Sequence, residues 1–339
     1  MPDDVDDMPG TILPRALFRE LIAALRPQPI PGEAQALRAL GDPAVNHNGA
    51  KQAVEISYAG HLQRFFVKKL AVGVGEAARY RAMLHAGAPV AALIASRMQG
   101  GHEVIVIEHL GRIGIEPGNA REFGEYLDAL AQFQACATTD LPHDPQWIRH
   151  WLTHLQEVWQ HTRDGAWGAT LQSQACLLDG RWNGMRRMAD ELAAQLERLP
   201  RVPTHHDPAY GNVGRSAAGT PLVLFDLQYC SLHPWGRDLA LALGGFAQAW
   251  PSTDGRGPWI ERFCATYNRT AAQPVTVAQA ETAVVLHLAA YRCWCDGFML
   301  QAAESAVARD PVGFQLSWGT WLGRVWTQLH DWVERGTVP

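Results

Sequence analysis

The chain has 339 residues, of which 47% are hydrophobic and 19% charged, and its formal net charge is −5. This composition is typical of a globular protein with room for two domains, and a mildly acidic chain without a Lys/Arg-rich run is a poor candidate for binding nucleic acid. The sequence has no apolar stretch near the roughly 20 residues of a membrane span, and its acidic first ten residues lack the apolar core of a signal peptide. Its six cysteines include no CxxC pair. We therefore expect a cytoplasmic protein with reduced thiols.

The first 110 residues are predicted to form a small antiparallel sheet with one inserted helix. Residues 1–13 are expected to be a tail, and the Gly-, Pro- and Asn-rich segment 41–49 a loop. Four strand-like runs form two pairs, each joined by a short turn, and two other segments repeat apolar residues at helical spacing. The helices are predicted at 14–26 and 75–85, and the strands at 53–58, 64–70, 89–97 and 103–110.

Beyond residue 110 the pattern is mainly helical. Residues 221–226 indicate a short buried strand, which is expected to pair with residues 212–216 in a hairpin. We therefore divide the chain into an N-terminal lobe, 1–110, and a helical C-terminal lobe, 111–339. The helices of the second lobe are predicted at 120–137, 145–160, 183–198, 237–249, 258–268, 276–303 and 314–334.

The segment Thr204–Asn212, with the sequence THHDPAYGN, carries the clearest chemistry. A hairpin brings its two ends together, so we expect Asn212 beside Asp226, fourteen residues later, with Asp207 at the mouth. Mg²⁺ prefers hard oxygen ligands and keeps several waters, so a protein typically supplies only a few of its ligands, such as one carboxylate and one amide oxygen. A separate carboxylate can orient a hydroxyl group and accept its proton. The spacing therefore suits phosphoryl transfer.

The pattern His205-x-Asp207-x4-Asn212 followed by Asp226 resembles the catalytic and metal motifs of the aminoglycoside phosphotransferase family of protein-kinase-like enzymes. The resemblance covers about residues 40–250 and includes the order of elements: loop, hairpin, lysine, helix glutamate, two strands, helices and the motif pair. It implies an α+β, bilobal protein-kinase-like fold. It also implies that ATP or GTP, with Mg²⁺, phosphorylates a hydroxyl group of a small molecule. The composition predicts no nucleic-acid or membrane partner, and the sequence leaves the oligomeric state open.

The resemblance implies a role for each motif residue of the second lobe. Asp207 corresponds to the catalytic base, and Asn212 and Asp226 correspond to the Mg²⁺ ligands. His205 corresponds to a residue that braces the catalytic loop, and Asp238 to the aspartate that stabilises it.

The same resemblance implies a nucleotide side built on the lysines. Only three of the 29 basic residues are lysines. Lys68 corresponds to the strand lysine that holds the α- and β-phosphates, and Glu76 to its partner on the next helix. Adjacent strand residues face opposite sides, so only one of Lys68 and Lys69 can face the cleft, and the motif offset favours Lys68. Lys51 is a further candidate for a phosphate contact, although a plain loop lysine is the commoner interpretation.

Two loops complete the implied nucleotide site. The segment 46–50 resembles the phosphate-covering loop, although it has a single glycine. Residues 107–110 resemble the linker between the lobes, whose backbone meets the adenine or guanine. The binding residues implied in these two segments are Asn48, Gly49, Glu108, His109 and Leu110.

The acceptor side is less clearly specified. His206 stands where the family often has glycine, and its imidazole is a candidate contact for substrate. All 13 tryptophans lie between Trp147 and Trp332. Trp235, Trp294 and Asp296 fall in regions that can line the acceptor pocket in this family, and aromatic rings with a carboxylate suit a cation.

Three functions remain open at this point. The first is an O-phosphotransferase acting on an aminoglycoside or another antibiotic, which would confer antibiotic resistance. The second is a metabolic kinase with a choline-like, sugar or amino-alcohol acceptor, and the third is a kinase-fold binding protein without catalysis. A zinc cluster of His205, His206, His233 and Asp207 is disfavoured because the spacing lacks the i, i+4 form of zinc hydrolases.

Overall fold

The computed structural model describes residues 11–25, 35–46, 49–58, 61–71, 73–116, 118–143, 147, 190, 193–245 and 255–288. The chain divides into two compact units. The first consists of Met1–Pro142, Val202–Leu232 and Ala249–Pro274, and the second of His143–Arg201, His233–Gln248 and Val275–Pro339. The division into lobes at residue 110 stays a prediction.

The predicted antiparallel sheet forms the N-terminal part of the first unit, with six strands rather than the four expected. Its strand order is β1-β3-β4-β6-β5, with β2 paired to β3. The strands are β1 (Gln35–Ala39), β2 (Ala44–Asn46), β3 (Gly49–Tyr58), β4 (His61–Leu70), β5 (Leu93–Gln99) and β6 (His102–Glu108). The predicted loop at 41–49 is wrong for Ala44–Asn46, because these residues pair back onto Gly49–Lys51.

Two helices accompany this sheet at the predicted positions, α1 (Arg15–Leu25) and α2 (Glu76–His85). Leu17 and Leu21 of α1 are fully buried in one cluster with Phe65 and Val67 of β4. Phe65 and Val67 alternate with Phe66 and Lys68 along the strand, so the face of β4 that carries Lys68 is the one opposite this apolar core.

Short strands carry the central motifs. The sheet β10-β9-β7 consists of β7 (Arg112–Ile113), β9 (Val213–Arg215) and β10 (Val223–Leu224), and β8 (Arg201–Thr204) pairs with β11 (Ser231–Pro234). The predicted hairpin is confirmed as the β9–β10 pair. Its second strand is shorter than the predicted 221–226 at both ends, and at the C-terminal end Asp226 has a left-handed backbone (φ 66°) that cannot continue a ladder. Strands β7, β8 and β11 were not predicted.

The predicted helices at 120–137 and 258–268 are confirmed as α3 (Ala120–Ala135) and α5 (Gly257–Tyr267). The side chain of Asn119 caps α3 by accepting a hydrogen bond of 3.2 Å from the Glu122 N–H. The rings of Phe123 and Trp259 join the two helices in an edge-to-face contact, with centroids 5.0 Å apart.

In the second unit, α4 (Arg237–Ala240) continues into a π-helical turn, Leu241–Gly245, and residues 277–288 are helical. His287 is buried and bonds through Nε2 to the Trp235 carbonyl at 3.0 Å, and its burial, with the Arg237 charge, lowers its pKa to about 3. Most of the predicted helix 145–160 and the whole of the predicted helix 314–334 lie outside the described residues. The same holds for residues 183–189 of the predicted helix 183–198 and residues 289–303 of the predicted helix 276–303. Among the described residues, no helix is long and apolar enough to cross a bilayer.

Candidate active site

His205 connects the loop after β8 to the strand hairpin. Its side chain is completely buried. Its Nδ1 lies 3.3 Å from the Asp207 N–H and its Nε2 lies 2.8 Å from the Phe225 carbonyl oxygen. A neutral imidazole has one acceptor and one donor nitrogen, so Nδ1 accepts and Nε2–H donates. These contacts support the bracing role that the sequence predicts for His205.

His206 adopts a left-handed backbone with φ 68°. This conformation costs a residue with a side chain about 1–2 kcal/mol, which gives a physical reason for glycine at this position. The imidazole Nε2 lies 2.6 Å from the hydroxyl oxygen of Ser231. The side chain is therefore anchored to β11, and its contact with an acceptor stays a prediction.

Asp207 and Asn212 are joined directly by hydrogen bonds. The Asn212 Nδ2 group donates to the Asp207 backbone oxygen at 2.9 Å and to Asp207 Oδ2 at 3.0 Å. Both partners are oxygens, so the amide must turn its nitrogen toward them. Asn212 Oδ1 is then left to accept from another group. The loop is also fixed from α3, where the Tyr126 hydroxyl donates to the Pro208 carbonyl.

The hairpin brings Asn212 to Asp226, as predicted. The Phe225 N–H donates to the Asn212 carbonyl at 3.0 Å, immediately before Asp226 in the chain. The Asp226 carboxylate and the Asn212 Oδ1 atom are hard oxygen ligands. This pair fits Mg²⁺, which usually takes only one or two ligands from the protein and the rest from phosphates and water. No group of three or more His, Cys, Asp and Glu able to hold a metal occurs within the described residues.

Asp226 lies between two lysines. Its Oδ1 accepts from Lys68 Nζ at 2.8 Å, and its Oδ2 accepts from Lys51 Nζ at 2.6 Å. The strained backbone of Asp226 is held on both sides. Its own N–H donates to the Tyr80 hydroxyl at 3.1 Å, and the next N–H, of Leu227, donates to Glu76 Oε1 at 3.1 Å.

Lys68 and Glu76 form the predicted pair. Lys68 Nζ lies 2.7 Å and 2.5 Å from the two oxygens of Glu76, and the two side chains are 1% and 0% exposed. The structure therefore turns Lys68, rather than Lys69, toward the motif residues. Glu103 of β6 fixes the start of α2 by accepting from the N–H groups of Glu76 and Ala77 at 2.7 Å and 3.3 Å. That carboxylate takes the place of a capping side chain, because α2 begins after Gly75.

The two buried carboxylates respond differently to the same surroundings. Burial is the largest influence on Glu76 and raises its pKa, with Lys68 opposing the rise only in part. Burial acts on Asp226 in the same sense, but the charges of Lys68 and Lys51 and their hydrogen bonds outweigh it and lower its pKa. Two ammonium groups contact Asp226, which explains the difference. Asp226 is therefore a carboxylate at neutral pH, with a lysine ammonium group on each oxygen.

The predicted linker borders a cavity of about 500 Å³ in the first unit. Glu108 and His109 line it, together with Arg64 and Ser216. The Glu108 carboxylate accepts from the Ala92 N–H and the Ser216 hydroxyl, both at 2.9 Å, so the linker is fixed to its neighbours. Burial, assisted by the Arg64 charge, lowers the pKa of His109.

Leu110, the last residue of the predicted linker, is buried. Gly49 begins β3 with φ 129°, and a Cβ atom there would lie 2.0 Å from the Lys69 carbonyl oxygen. A glycine is therefore required for β3 to approach β4. Asn48 lies outside the described residues.

The remaining predicted residues fall in the second unit or outside the described residues. Asp238 is fully buried in the first turn of α4, and its role in stabilising the loop stays a prediction. Trp235 is also fully buried, which favours packing over contact with an acceptor. Trp294 and Asp296 lie outside the described residues.

Sequence reasoning missed two contributors to the site, Tyr80 and Glu103, and gave Lys51 only as a candidate that is more commonly a loop lysine. Lys51 lies on β3 rather than in a loop. The register that pairs Tyr58 with His61 also sets Lys51 opposite Lys68. The short turn predicted between the strands 53–58 and 64–70 carries this information, so the sequence allows the pairing to be predicted. Tyr80 and Glu103 gave no comparable signal, because their partners are distant in sequence.

The sequence matches a known family. A model of the phosphotransferase enzyme family, APH, matches residues 61–276. This match includes both halves of the site, from Lys68 to Asp226. The comparison with curated proteins gave no significant match.

Solved structures of small-molecule kinases resemble the chain in fold. Spectinomycin phosphotransferase APH(9)-Ia, in complex with ADP and spectinomycin, has a TM-score of 0.51 at 12% identity, with 81% of this chain and 84% of that chain covered. Choline kinase from Cryptosporidium parvum Iowa II has a TM-score of 0.54 at 14% identity, with 94% of this chain and 97% of that chain covered. An aminoglycoside phosphotransferase from Alicyclobacillus acidocaldarius has a TM-score of 0.51 at 15% identity, with 87% of this chain and 93% of that chain covered. The chain thus has the protein-kinase-like fold.

Proposed function

Because the chain belongs to the phosphotransferase enzyme family, we propose that it transfers the γ-phosphate of ATP or GTP to a hydroxyl group of a small molecule. The observation that carries this proposal is a connected set of residues. Asn212 donates to Asp207 and accepts from the N–H of Phe225, the residue before Asp226. Lys68 donates to both Asp226 and Glu76. A kinase-fold protein without catalysis has no need of this complete set.

Asp207 is the proposed catalytic base. Asn212 occupies Asp207 Oδ2, which leaves Oδ1 for the acceptor hydroxyl group. As the acceptor oxygen bonds to the γ-phosphorus, its proton passes to Asp207, and the bond from phosphorus to the bridging oxygen breaks with its electrons on the diphosphate. Lys68 stabilises the charge on that diphosphate. Asp226 and Asn212 Oδ1 would hold Mg²⁺, which neutralises phosphate charge when bound.

The proposed base site is the cavity beside the linker, 107–110. Backbone groups of Glu108, His109 and Leu110 would meet the adenine or guanine there, and the segment with Asn48 and Gly49 would cover the phosphates. A backbone contact discriminates weakly between purines, so ATP and GTP both remain candidates.

The acceptor is proposed to be a small molecule with a hydroxyl group, either an antibiotic or a metabolic alcohol. The residues after 110 hold 18 basic and 23 acidic groups and therefore the whole net charge of −5, an excess that suits an amine-bearing acceptor but is too small to select one. An aminoglycoside or another antibiotic fits, with resistance as the outcome in the cell. A choline-like, sugar or amino-alcohol acceptor fits the same machinery. The proposed acceptor contacts are His206, Trp294 and Asp296, and the proposed location is the cytoplasm.

The nucleotide part of the proposal is tested by a variant of the metal ligand. We expect Asp226→Ala to abolish the Mg²⁺-dependent part of nucleotide binding, because the variant lacks the carboxylate that holds the cation. Titration calorimetry with ATP and with GTP, each with Mg²⁺ and with EDTA, measures this difference. Equal binding by the variant and the wild type in Mg²⁺ would contradict the assignment. A wild-type protein that binds neither nucleotide and gains no thermal stability from them would favour the non-catalytic alternative.

The acceptor is identified by nucleotide consumption. We expect one class among aminoglycosides, other antibiotics, choline-like alcohols, amino alcohols and sugars to increase ADP or GDP release well above the rate without acceptor. The phosphorylated product is then confirmed by mass spectrometry, with the Asp207→Ala protein as the blank. Release that stays at the background rate with every acceptor, from a protein that binds Mg²⁺ and nucleotide, would contradict phosphotransfer to these classes.

A further inference from the structure

Lys51 shares the metal-ligand carboxylate with Lys68. The two lysines lie directly opposite each other on the antiparallel strands β3 and β4, an arrangement in which like charges repel. Asp226 relieves this repulsion by accepting from Lys51 at Oδ2 and from Lys68 at Oδ1, at 2.6 Å and 2.8 Å. Both oxygens of the proposed Mg²⁺ ligand therefore contact ammonium groups.

The two lysines differ in what else holds them. Lys68 is 1% exposed and has Glu76 as a second carboxylate partner, whereas the Lys51 side chain is 22% exposed and bonds to Asp226 alone among the ion pairs of the described residues. When all four side chains are ionised, the cluster of Lys51, Lys68, Glu76 and Asp226 is neutral. A divalent cation on Asp226 would repel both ammonium groups, and Lys51 is the one free to move.

We propose that Lys51 is a second triphosphate-binding lysine, which holds Asp226 in the nucleotide-free protein and moves to a phosphate oxygen when the triphosphate binds, a move that Mg²⁺ on Asp226 would assist. This proposal rests on the proposed function. Lys51 stands two residues after Gly49, where β3 leaves the predicted phosphate-covering segment, so a long, partly exposed side chain there can reach a phosphate. Lysine suits this exchange because its ammonium group is a compact charge on a flexible stem.

Two binding measurements on Lys51→Met should change in opposite directions. ATP in EDTA should bind at least about tenfold more weakly than to the wild type, since a charge-assisted hydrogen bond is lost, while adenosine should bind equally. Mn²⁺ without nucleotide, followed by electron paramagnetic resonance, should bind several-fold more tightly because Oδ2 of Asp226 no longer accepts from Lys51. Lys51→Arg should retain most ATP affinity, and Lys69→Met, the same change on the opposite face of β4, should change neither value.

The wild-type protein provides a second test that needs no variant. Lys51, Lys68 and Lys69 are the only lysines of the chain, so acetylation mapped by mass spectrometry reports on each one cleanly. We expect ATP in EDTA to protect Lys51 relative to Lys69, and Mn²⁺ alone to increase its labelling as the ammonium group leaves Asp226.

The outcomes separate this proposal from the proposed function. If Lys68→Met weakens ATP binding but Lys51→Met binds ATP and Mn²⁺ like the wild type, and ATP leaves Lys51 labelling unchanged, the second lysine is refuted and the kinase stands. A Lys51→Met protein that only melts at a lower temperature, with both affinities unchanged, shows a structural ion pair and also refutes the proposal. A wild type that binds no nucleotide overturns both.

Discussion

Asp207→Ala is expected to reduce kcat by about 100- to 10,000-fold while leaving ATP binding within error of the wild type. General-base catalysis contributes about this much, and Asp207 contacts the acceptor hydroxyl rather than the nucleotide in the proposed arrangement. The Asn212 side chain keeps its bond to the backbone oxygen of residue 207, so the loop should retain its form. Steady-state kinetics with the identified acceptor gives kcat, and calorimetry gives the nucleotide affinity.

Two control variants make this result specific. Asp207→Asn keeps the size of the side chain and an oxygen for Asn212, and should lose as much kcat as the alanine variant. Asp128→Asn removes a carboxylate on α3 that pairs with Arg262 at 2.6 Å at the surface of the same unit. Exposed pairs contribute about 1 kcal/mol or less to stability, so this variant should stay folded and keep the kcat of the wild type. A normal kcat for either Asp207 variant would show that the base assignment is wrong.

The sequence predicted those parts of the site whose residues lie close together in the chain. The loop from His205 to Asn212 and the hairpin to Asp226 occupy 22 consecutive residues. A hairpin of this kind is fixed by a local turn and by alternating apolar residues. The antiparallel sheet and its inserted helix were predictable for the same reason, since each strand pair is joined by a short turn.

The contacts that hold these pieces together were not predictable. Glu103 reaches α2 from a strand 27 residues away, and Tyr80 supports Asp226 across 146 residues. Such contacts depend on how elements pack, and no periodicity or spacing encodes them. The left-handed backbone at Asp226 is another example, because it ended β10 where the apolar run alone predicted two more strand residues.

Lys68→Met is expected to weaken ATP binding by at least about tenfold and to lower the free energy of unfolding by about 3–5 kcal/mol. Lys68 is 1% exposed and bonds to both Glu76 and Asp226. Removing one partner of a buried pair leaves the other charge uncompensated, which is costly. Asp226 keeps Lys51 as a partner, so the cost arises mainly at Glu76. Urea denaturation and calorimetry measure the two losses.

The stability loss in Lys68→Met should shrink as the pH falls. Burial already raises the pKa of Glu76, and Lys68 opposes that rise, so the variant should have a still higher pKa at this carboxyl. A group whose pKa is higher in the folded than in the unfolded protein binds protons on folding, and its penalty disappears as the pH falls through the folded-state pKa. We therefore expect the variant to lose less stability, relative to the wild type, at pH 5.5 than at pH 7.5.

The double variant Lys68→Met, Glu76→Gln separates stability from function. Replacing both charges removes the uncompensated carboxylate, so most of the lost stability and the added pH dependence should be recovered. ATP affinity should stay low, because the phosphates still lack the Lys68 ammonium group. If the double variant recovers ATP binding together with stability, Lys68 acts only as a structural partner of Glu76. If it recovers stability alone, the buried lysine is retained for the nucleotide.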